Sequence, residues 1–473
     1  MTARTSRLPS LVLLAVVAFA ATLALLSAAV APPAHARGWG PGQLHEWWSF
    51  DGSLHIDDRL LECAKAPDGS VYAVGATNEN APVTKDIFLV KFDSTGAHQW
   101  QLVYHVPGSV TAGASAITTD ANNNVIVTGS LWDGADYDMF TAKWNAAGTL
   151  VWYAIQASAA GGWDGGNDLV TDSAGNVYAA GMMDGWTEGI VVKYAAAEDP
   201  GNPGHGDEQW VHHFLGTAAY EQASCEAIAI DSSGRIYVTG YRATATGGAD
   251  IFVSRLQADG GGVWLRGYNS YRKRGDYATS IATGNGGIWV AGNADKPHNA
   301  TDVALLHYSA SGHRVWVRTW DDSLHKGENV AGLGIDRYGN AFLAAEVWPT
   351  SSAYKVALIK YAHSGTRRWT KLYRGVTGDT GGLQCSDMAV SPGGSAWLVG
   401  SLFTAGDAFW KVVKYNRAGK RLWTTTWPTG QPGEPTSGQP WACVLSGTSD
   451  LFVAGDAVQT IGGRNATAGW FVR

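Results

Sequence analysis

A short β run ending in glycine recurs along this chain at a nearly constant spacing. Its last residue falls at Gly75, Gly129, Gly181, Gly240, Gly292, Gly400 and Gly455, with Ala345 in the equivalent place between Gly292 and Gly400. Successive intervals are 54, 52, 59, 52, 53, 55 and 55 residues. Eight copies at one period predict a repeat architecture, because a unit of this size buries its apolar face only against its neighbours.

Each copy reads as four strands. A run such as Ala227-Ile228-Ala229-Ile230 leads through a tight turn such as Ser173-Ala174-Gly175-Asn176 into a strand of the Val177-Tyr178 type. A longer loop then reaches a third strand, seen at 86–92 or 355–361, whose alternate residues face opposite sides of a sheet. In seven copies a glycine stands four residues before a tryptophan: Gly96 and Trp100, Gly148 and Trp152, Gly206 and Trp210, Gly260 and Trp264, Gly312 and Trp316, Gly365 and Trp369, Gly419 and Trp423. That glycine supplies the positive φ of a tight hairpin turn before the fourth strand. With 60 glycines, 22 tryptophans and only 16% charged residues, the composition suits short strands and excludes a disordered chain.

The eighth copy has three strands near the C-terminus, at 441–445, 451–455 and 469–473, and the chain stops there. Its missing fourth strand stands at the other end, in His45-Glu46-Trp47-Trp48-Ser49-Phe50. Joining the two closes a ring and removes the open strand edges that a linear array would expose. The fold expected is therefore all-β: an eight-bladed β-propeller of four-stranded blades, closed by the N-terminal strand completing the last blade.

Ahead of the ring, Arg4 and Arg7 precede an uncharged stretch from Leu11 to Val30 and then Ala34-His35-Ala36, which has the small-x-small form of a signal-peptidase site. This divides the chain into a signal peptide, 1–36, and one propeller domain of eight repeats, 37–473, secreted or otherwise extracytoplasmic. The apolar stretch is also long enough to span a bilayer if it is retained; once cleaved it leaves no stable membrane insertion. Removing Arg4 and Arg7 leaves 32 basic against 41 acidic residues, a net charge of −9, which argues against nucleic acid as the partner.

The repeat resembles that of the bacterial β-propeller proteins often called SBBP. The residues that carry the likeness run from Ala227 to Gly240, from Asp172 to Gly181 and from Asp86 to Trp100. The resemblance spans nearly the whole mature chain and implies the fold, but no shared activity. The Gly-x-x-x-Trp element also resembles the tryptophan-docking repeats of eight-bladed quinoprotein dehydrogenases and of related noncatalytic assembly propellers. Those enzymes commonly place a vicinal cysteine pair beside the quinone, whereas Cys63, Cys225, Cys385 and Cys443 are all isolated.

The regular tryptophans, Trp47, Trp100, Trp152, Trp210, Trp264, Trp316, Trp369 and Trp423, are expected to dock neighbouring blades, since buried aromatics dominate cores. The aromatic residues four positions beyond them, Tyr104, Phe214, Tyr268, Trp320, Tyr373 and Trp427, share the same strand face and the same expectation. Lys91, Lys143, Lys193, Lys360 and Lys414 in the third strands read as solvated or locally paired. Cys63 and Cys443 stand 12 residues before Gly75 and Gly455, in blades that closure makes neighbours. A disulfide between them would latch the ring; two buried thiols is the other reading.

The short turns fall on one face of the ring and the longer connections on the other, where function usually lives. Around blades two and three that face offers Trp132, Asp133, Asp136, Asp138, Trp163, Asp164, Trp186 and Glu188, of which Trp132, Asp133, Trp163, Asp164 and Trp186 are the candidate ligand contacts. Exposed indoles beside acids suit sugar rings; packed loops with solvated acids would look the same in sequence. A basic loop, 268–274, and an acidic insertion, 198–208, are further candidates, although the insertion lacks the spacing of a calcium loop and His205, His212 and His213 form no zinc signature. The function expected is an exported non-catalytic propeller that binds a carbohydrate or other polymer, or a protein, on its long-loop face, with no cofactor, metal site or catalytic residue. A polysaccharide-active or quinoprotein-like enzyme and a structural cell-surface protein remain as alternatives.

Overall fold

The computed structural model describes residues 42–51, 58–78, 84–159, 161–216, 222–244, 248–270, 275–295, 301–322, 327–347, 354–374, 382–403, 407–428, 435–446, 450–458 and 464–471. The N-terminal apolar segment with its Ala34-His35-Ala36 site, and Tyr271 to Arg274 of the basic loop, lie outside them. The described residues form 32 strands in eight four-stranded antiparallel sheets. Blades one to seven span 59–104, 111–156, 165–215, 223–268, 276–320, 328–373 and 383–427. The first strand of each blade packs on the first strand of the next, and that of blade eight on that of blade one, so the ring is closed. Blade eight contains Ser437–Ser446, Asp450–Val458 and Arg464–Phe471, and its outer strand is Leu44–Phe50 from the other end of the chain. Its third strand begins five residues earlier than the repeat predicted.

The glycine that sets the repeat has a steric cause. In every blade the first strand carries a bulge opposite it, as where Cys225 and Ala227 flank the unpaired Glu226 and Gly240 pairs with Cys225. There the inner strand bends toward its partner. A Cβ on Gly240 would lie 1.9 Å from the Ser224 carbonyl, and one on Gly75 would lie 1.7 Å from that of Arg59. Blade six has the same bulge, between Val330 and Gly332, and accommodates Ala345 there.

The tryptophans explain the turn glycines in turn. A Cβ on Gly148 would meet Trp100 at 3.3 Å, one on Gly260 would meet Trp210 at 2.7 Å, and one on Gly312 would meet Trp264 at 2.6 Å. The indole of one blade therefore lies flat on the turn of the next. In four blades the indole Nε1 also donates to a carbonyl of that turn: Trp100 to Ala146 at 3.2 Å, Trp210 to Ala258 at 3.0 Å, Trp316 to His363 at 3.0 Å, and Trp369 to Arg417 at 3.3 Å.

Of the two readings of the lysine row, local pairing holds. Lys91 donates to the same Ala146 carbonyl at 2.9 Å, Lys193 to Ala258 at 3.2 Å and Lys360 to Arg417 at 3.3 Å. Lys143, fully buried, donates to Ala196 at 2.9 Å and pairs with Asp120 at 3.0 Å. Lys414 is buried too, with its ammonium 4.3 Å from the Trp397 ring centroid. At three seams, those of Lys91 with Trp100, Lys193 with Trp210 and Lys360 with Trp369, an ammonium and an indole share one acceptor, which leaves the lysine hydrogen-bonded as it is desolvated.

Trp47 departs from the expected register. The residue paired to the third strand as Trp100 is paired to Lys91 is Glu46, whose cross-strand partner is Trp470. Trp47 comes one residue later and so points to the other side of the sheet. It packs toward blade seven, 5.7 Å from Trp427. The seat on the turn of blade one, at Gly96, is filled instead by Trp470. Gly42, four residues before Glu46, keeps the turn spacing and lies on Trp423.

All four cysteines are free and buried, so no bridge joins Cys63 to Cys443. Cys63 packs in the layer between blades eight and one, and Cys443 in the layer between blades seven and eight. Equivalent positions on adjacent blades point the same way round the ring, into successive layers.

Carboxylates staple some inner strands to the next. Asp168 accepts from Leu169 N–H at 2.8 Å and from Ile228 N–H of blade four at 2.9 Å, and Asp387 accepts from Cys443 N–H of blade eight at 2.8 Å. Burial outweighs these bonds and pushes Asp168 up to about 6. A carboxyl raised on folding binds more protons in the native state between its unfolded value and about 6. The stabilisation it lends at low pH is therefore lost as pH rises through that interval. An Asp168→Asn variant, which does not titrate, should gain on the parent in melting temperature between pH 4 and pH 7; a gap that stays constant in thermal scans would contradict the assignment.

Candidate functional site

The long connections of blades two and three bring four aromatic side chains into one row. Trp132 ends the second strand of blade two, Val125–Trp132, and Tyr137 begins the third, Tyr137–Trp144; the two residues are direct cross-strand partners. Their ring centroids are 5.0 Å apart. The segment entering blade three bridges Tyr137 through Trp163, with Asp164 N–H donating to the Tyr137 carbonyl at 2.8 Å. Tyr137 and Trp163 lie 5.3 Å apart, and Trp163 and Trp186 5.2 Å. Tyr137, Trp163 and Trp186 are 37%, 43% and 42% exposed, so the row faces solvent although its backbone is fixed.

Trp186 is held by an unusual turn. Asp184, Gly185 and Trp186 have φ of 52°, 62° and 71°. Left-handed backbone is costly for a residue as large as tryptophan, and such strain persists where the surroundings over-determine it. Here Gly185 N–H donates to the Trp163 carbonyl at 3.0 Å, and Ala223 N–H to that of Trp186 at 2.8 Å.

Asp164 is not a ligand contact. It is fully buried and accepts from Asp184 N–H at 2.6 Å and from Ser158 N–H. It ties together the loops that carry Trp163 and Trp186, a positioning role that its place beside Trp163 in the chain concealed. Burial raises its carboxyl above the ordinary range.

Of the other acids, Asp133 and Asp136 stand in the hairpin between Trp132 and Tyr137, and Asp138 follows it. Asp133 accepts from Ala135 and Asp136 N–H at 2.7 and 3.0 Å, and these bonds hold its carboxyl below the usual range. Asp138 is buried and is pushed up to about 6 by desolvation, with Asp136 and Asp133 adding repulsion. One carboxylate oxygen from each of Asp133, Asp136 and Asp138 lies within 4.8 Å of the others, close enough to share a cation; Asp302, Asp321 and Glu328 meet the same criterion elsewhere. Glu188 pairs with His213 at 2.6 Å. In the acidic insertion, Glu198 and Asp199 accept from Gly204 and Gly201 N–H, so these two acids cap their own hairpin. Tyr137 was absent from the sequence candidates, although its position directly across the hairpin from Trp132 was the signal for it.

The architecture defines a β-propeller scaffold with one aromatic face. No family model and no curated protein matches the chain. Among solved structures it is similar to Sqt1 of Chaetomium thermophilum, with 12% identity and a TM-score of 0.53 over 90% of this chain and 97% of that one. It is likewise similar to Chaetomium thermophilum Sqt1 bound to the N-terminus of the ribosomal protein L10, with 13% identity and a TM-score of 0.52 over 90% and 98%. At these identities the likeness concerns the fold alone.

Proposed function

We propose that this chain is an exported, non-catalytic propeller that holds a protein partner on its long-loop face, with a basic segment of the partner laid along Trp132, Tyr137, Trp163 and Trp186. The row of exposed rings is the observation that carries this reading. Ammonium and guanidinium groups are drawn to ring faces, and more so to indole; Asp133, Asp136 and Asp138 favour the same groups, so the rings and the acids select one chemistry. Sqt1 bound to the N-terminus of the ribosomal protein L10, a solved structure of similar fold, supports the reading that this fold can hold a protein segment. Export rests on Arg4, Arg7, the apolar stretch and Ala34-His35-Ala36.

Binding to arrays of basic peptides, followed by titration of the best peptide, tests it. Trp163→Ala and Trp186→Ala should each weaken binding by about tenfold, about 1.4 kcal/mol, which lies within the range of a cation–π contact. Both variants should melt as the parent does, because the rings are exposed. Affinity should also rise with pH between about 5 and 7 as Asp138 ionises. A neutral glycan bound more tightly than any basic peptide, and lost in the same variants, would replace the protein partner by a carbohydrate.

A further inference from the structure

The opposite face carries a cluster of the opposite charge. A cleft of about 420 Å³ opens at the seam of blades six and seven, lined by Tyr338, Asn340, Lys360, Arg368, Trp369 and Arg417. Two of these cations are not demanded by the repeat. The position of Arg417, two residues before the turn glycine, is Ser94, Ala146, Ala258, Ala310 or His363 in other blades, and that of Arg368, just before the docking tryptophan, is Gln99, Val151, Gln209, Val263, Val315 or Leu422. The latch between the blades uses the Arg417 carbonyl and leaves its side chain free to vary.

The side chains are arranged around one exposed tyrosine. The Arg417 guanidinium lies 5.5 Å and that of Arg337 4.9 Å from the Tyr338 ring centroid, and Arg337 also donates to the Tyr338 hydroxyl at 2.7 Å. Arg337, Arg368 and Arg417 are exposed, and among the described residues none of them forms a salt bridge with a carboxylate. Lys360, buried at the floor, is paired with Asp336 at 3.5 Å. Arg368 and Arg417 therefore leave two positive charges uncompensated within the cleft, in a chain whose net charge is −7. The local field acts on its neighbours: the Arg337 hydrogen bond and the Arg337 and Arg417 charges hold the Tyr338 phenol below its ordinary range, and Arg417 and Arg368 add to the burial that lowers Lys360.

We propose that this cleft is a second binding site, for a phosphate or sulfate group, borne by a ligand about the size of a sugar ring or free in solution. Guanidinium forks match the oxygens of a tetrahedral oxyanion in pairs, and two surplus charges match a dianion. The cleft is larger than the ion, which leaves room for the group that carries it beside Tyr338 and Asn340. The site lies on the short-turn face and is independent of the aromatic row.

Titration calorimetry on the mature chain at low and moderate salt, with inorganic phosphate, sulfate and a hexose phosphate as probes, tests the assignment. Saturable binding that weakens with salt is expected, with the hexose phosphate tighter than inorganic phosphate if the ester is the ligand; equal affinity would assign the site to the free ion. Arg368→Gln and Arg417→Gln should each reduce affinity at least tenfold. Both keep the Arg417 backbone carbonyl that receives Trp369 and Lys360, so the melting temperature serves as the control for folding. Lys85→Gln, an exposed charge on blade one, should change nothing. No saturable binding by any probe, or equal losses in the Lys85 variant, would overturn the site.

Discussion

Replacing Trp410 with alanine will cost about 3–5 kcal/mol and will broaden or abolish cooperative unfolding. Trp410 lies in the third strand of blade seven, Ala408–Tyr415, and is completely buried. Its Nε1 donates to the Asp456 carbonyl of blade eight at 3.0 Å, and its rings meet Trp427 edge-on at 5.0 Å. Blade eight offers it a bed of glycines: a Cβ on Gly438, Gly455 or Gly469 would come to 3.0, 2.8 or 3.2 Å of the indole. Truncation leaves a cavity whose blade-eight wall is glycine backbone that cannot collapse to fill it, and it removes a donor from a buried carbonyl. Since whole domains are stable by about 5–15 kcal/mol, the loss is a large share of the total. The same substitution at the exposed Trp163 should cost under about 0.5 kcal/mol. Chemical denaturation followed by circular dichroism compares the two, and a Trp410→Ala protein with an unaltered midpoint would show that the seam does not depend on this ring.

The strand count and the closure were legible because both are written in spacing. A glycine opposite the inner-strand bulge in seven blades, with Ala345 in the sixth, and a glycine at the turn into each fourth strand answer local backbone and packing requirements, so nearly the same residue recurs at one spacing. What the repeat hid lies in register and in relations between blades. Trp47 carries the expected residue type one position late, and only the pairing of Glu46 with Trp470 shows that it faces blade seven. Whether the lysines are solvated or locally paired was open in the sequence because the acceptors of Lys91, Lys193 and Lys360, the carbonyls of Ala146, Ala258 and Arg417, belong to the next copy. The candidate face was legible as a set of aromatic loops, but Tyr137 joins the row without having been singled out, and Asp164 lies buried beneath it. Sequence adjacency to Trp163 suggested a ligand contact for the aspartate, whereas three-dimensional adjacency made it the pin beneath the row.

A chain lacking residues 1–50 should lose cooperative folding, while one beginning at residue 37 should melt as the full protein does. The strand Leu44–Phe50 pairs along Arg464–Phe471 from Leu44 with Phe471 to Phe50 with Ala466, and it reaches both neighbouring blades. Trp47 lies against Trp427 of blade seven, while Trp48 stacks on His98 at 5.1 Å and Phe50 on Phe88 at 4.4 Å in blade one. Its removal therefore opens two seams as well as one sheet edge, and the edge exposed is a third strand carrying the buried Trp470 and Phe471, a template for association with other chains. Because the strand is separate in sequence from the rest of its blade, a synthetic peptide of residues 41–51 should restore the melting transition in a concentration-dependent manner, as binding to the native state alone requires. A truncated chain that unfolds like the one beginning at residue 37, with no response to the peptide, would mean that seven complete blades and three strands hold the ring without its closing strand. The two-sided aromatic contacts argue against that outcome: each neighbouring blade would lose ring contacts that nothing else in its own sequence replaces.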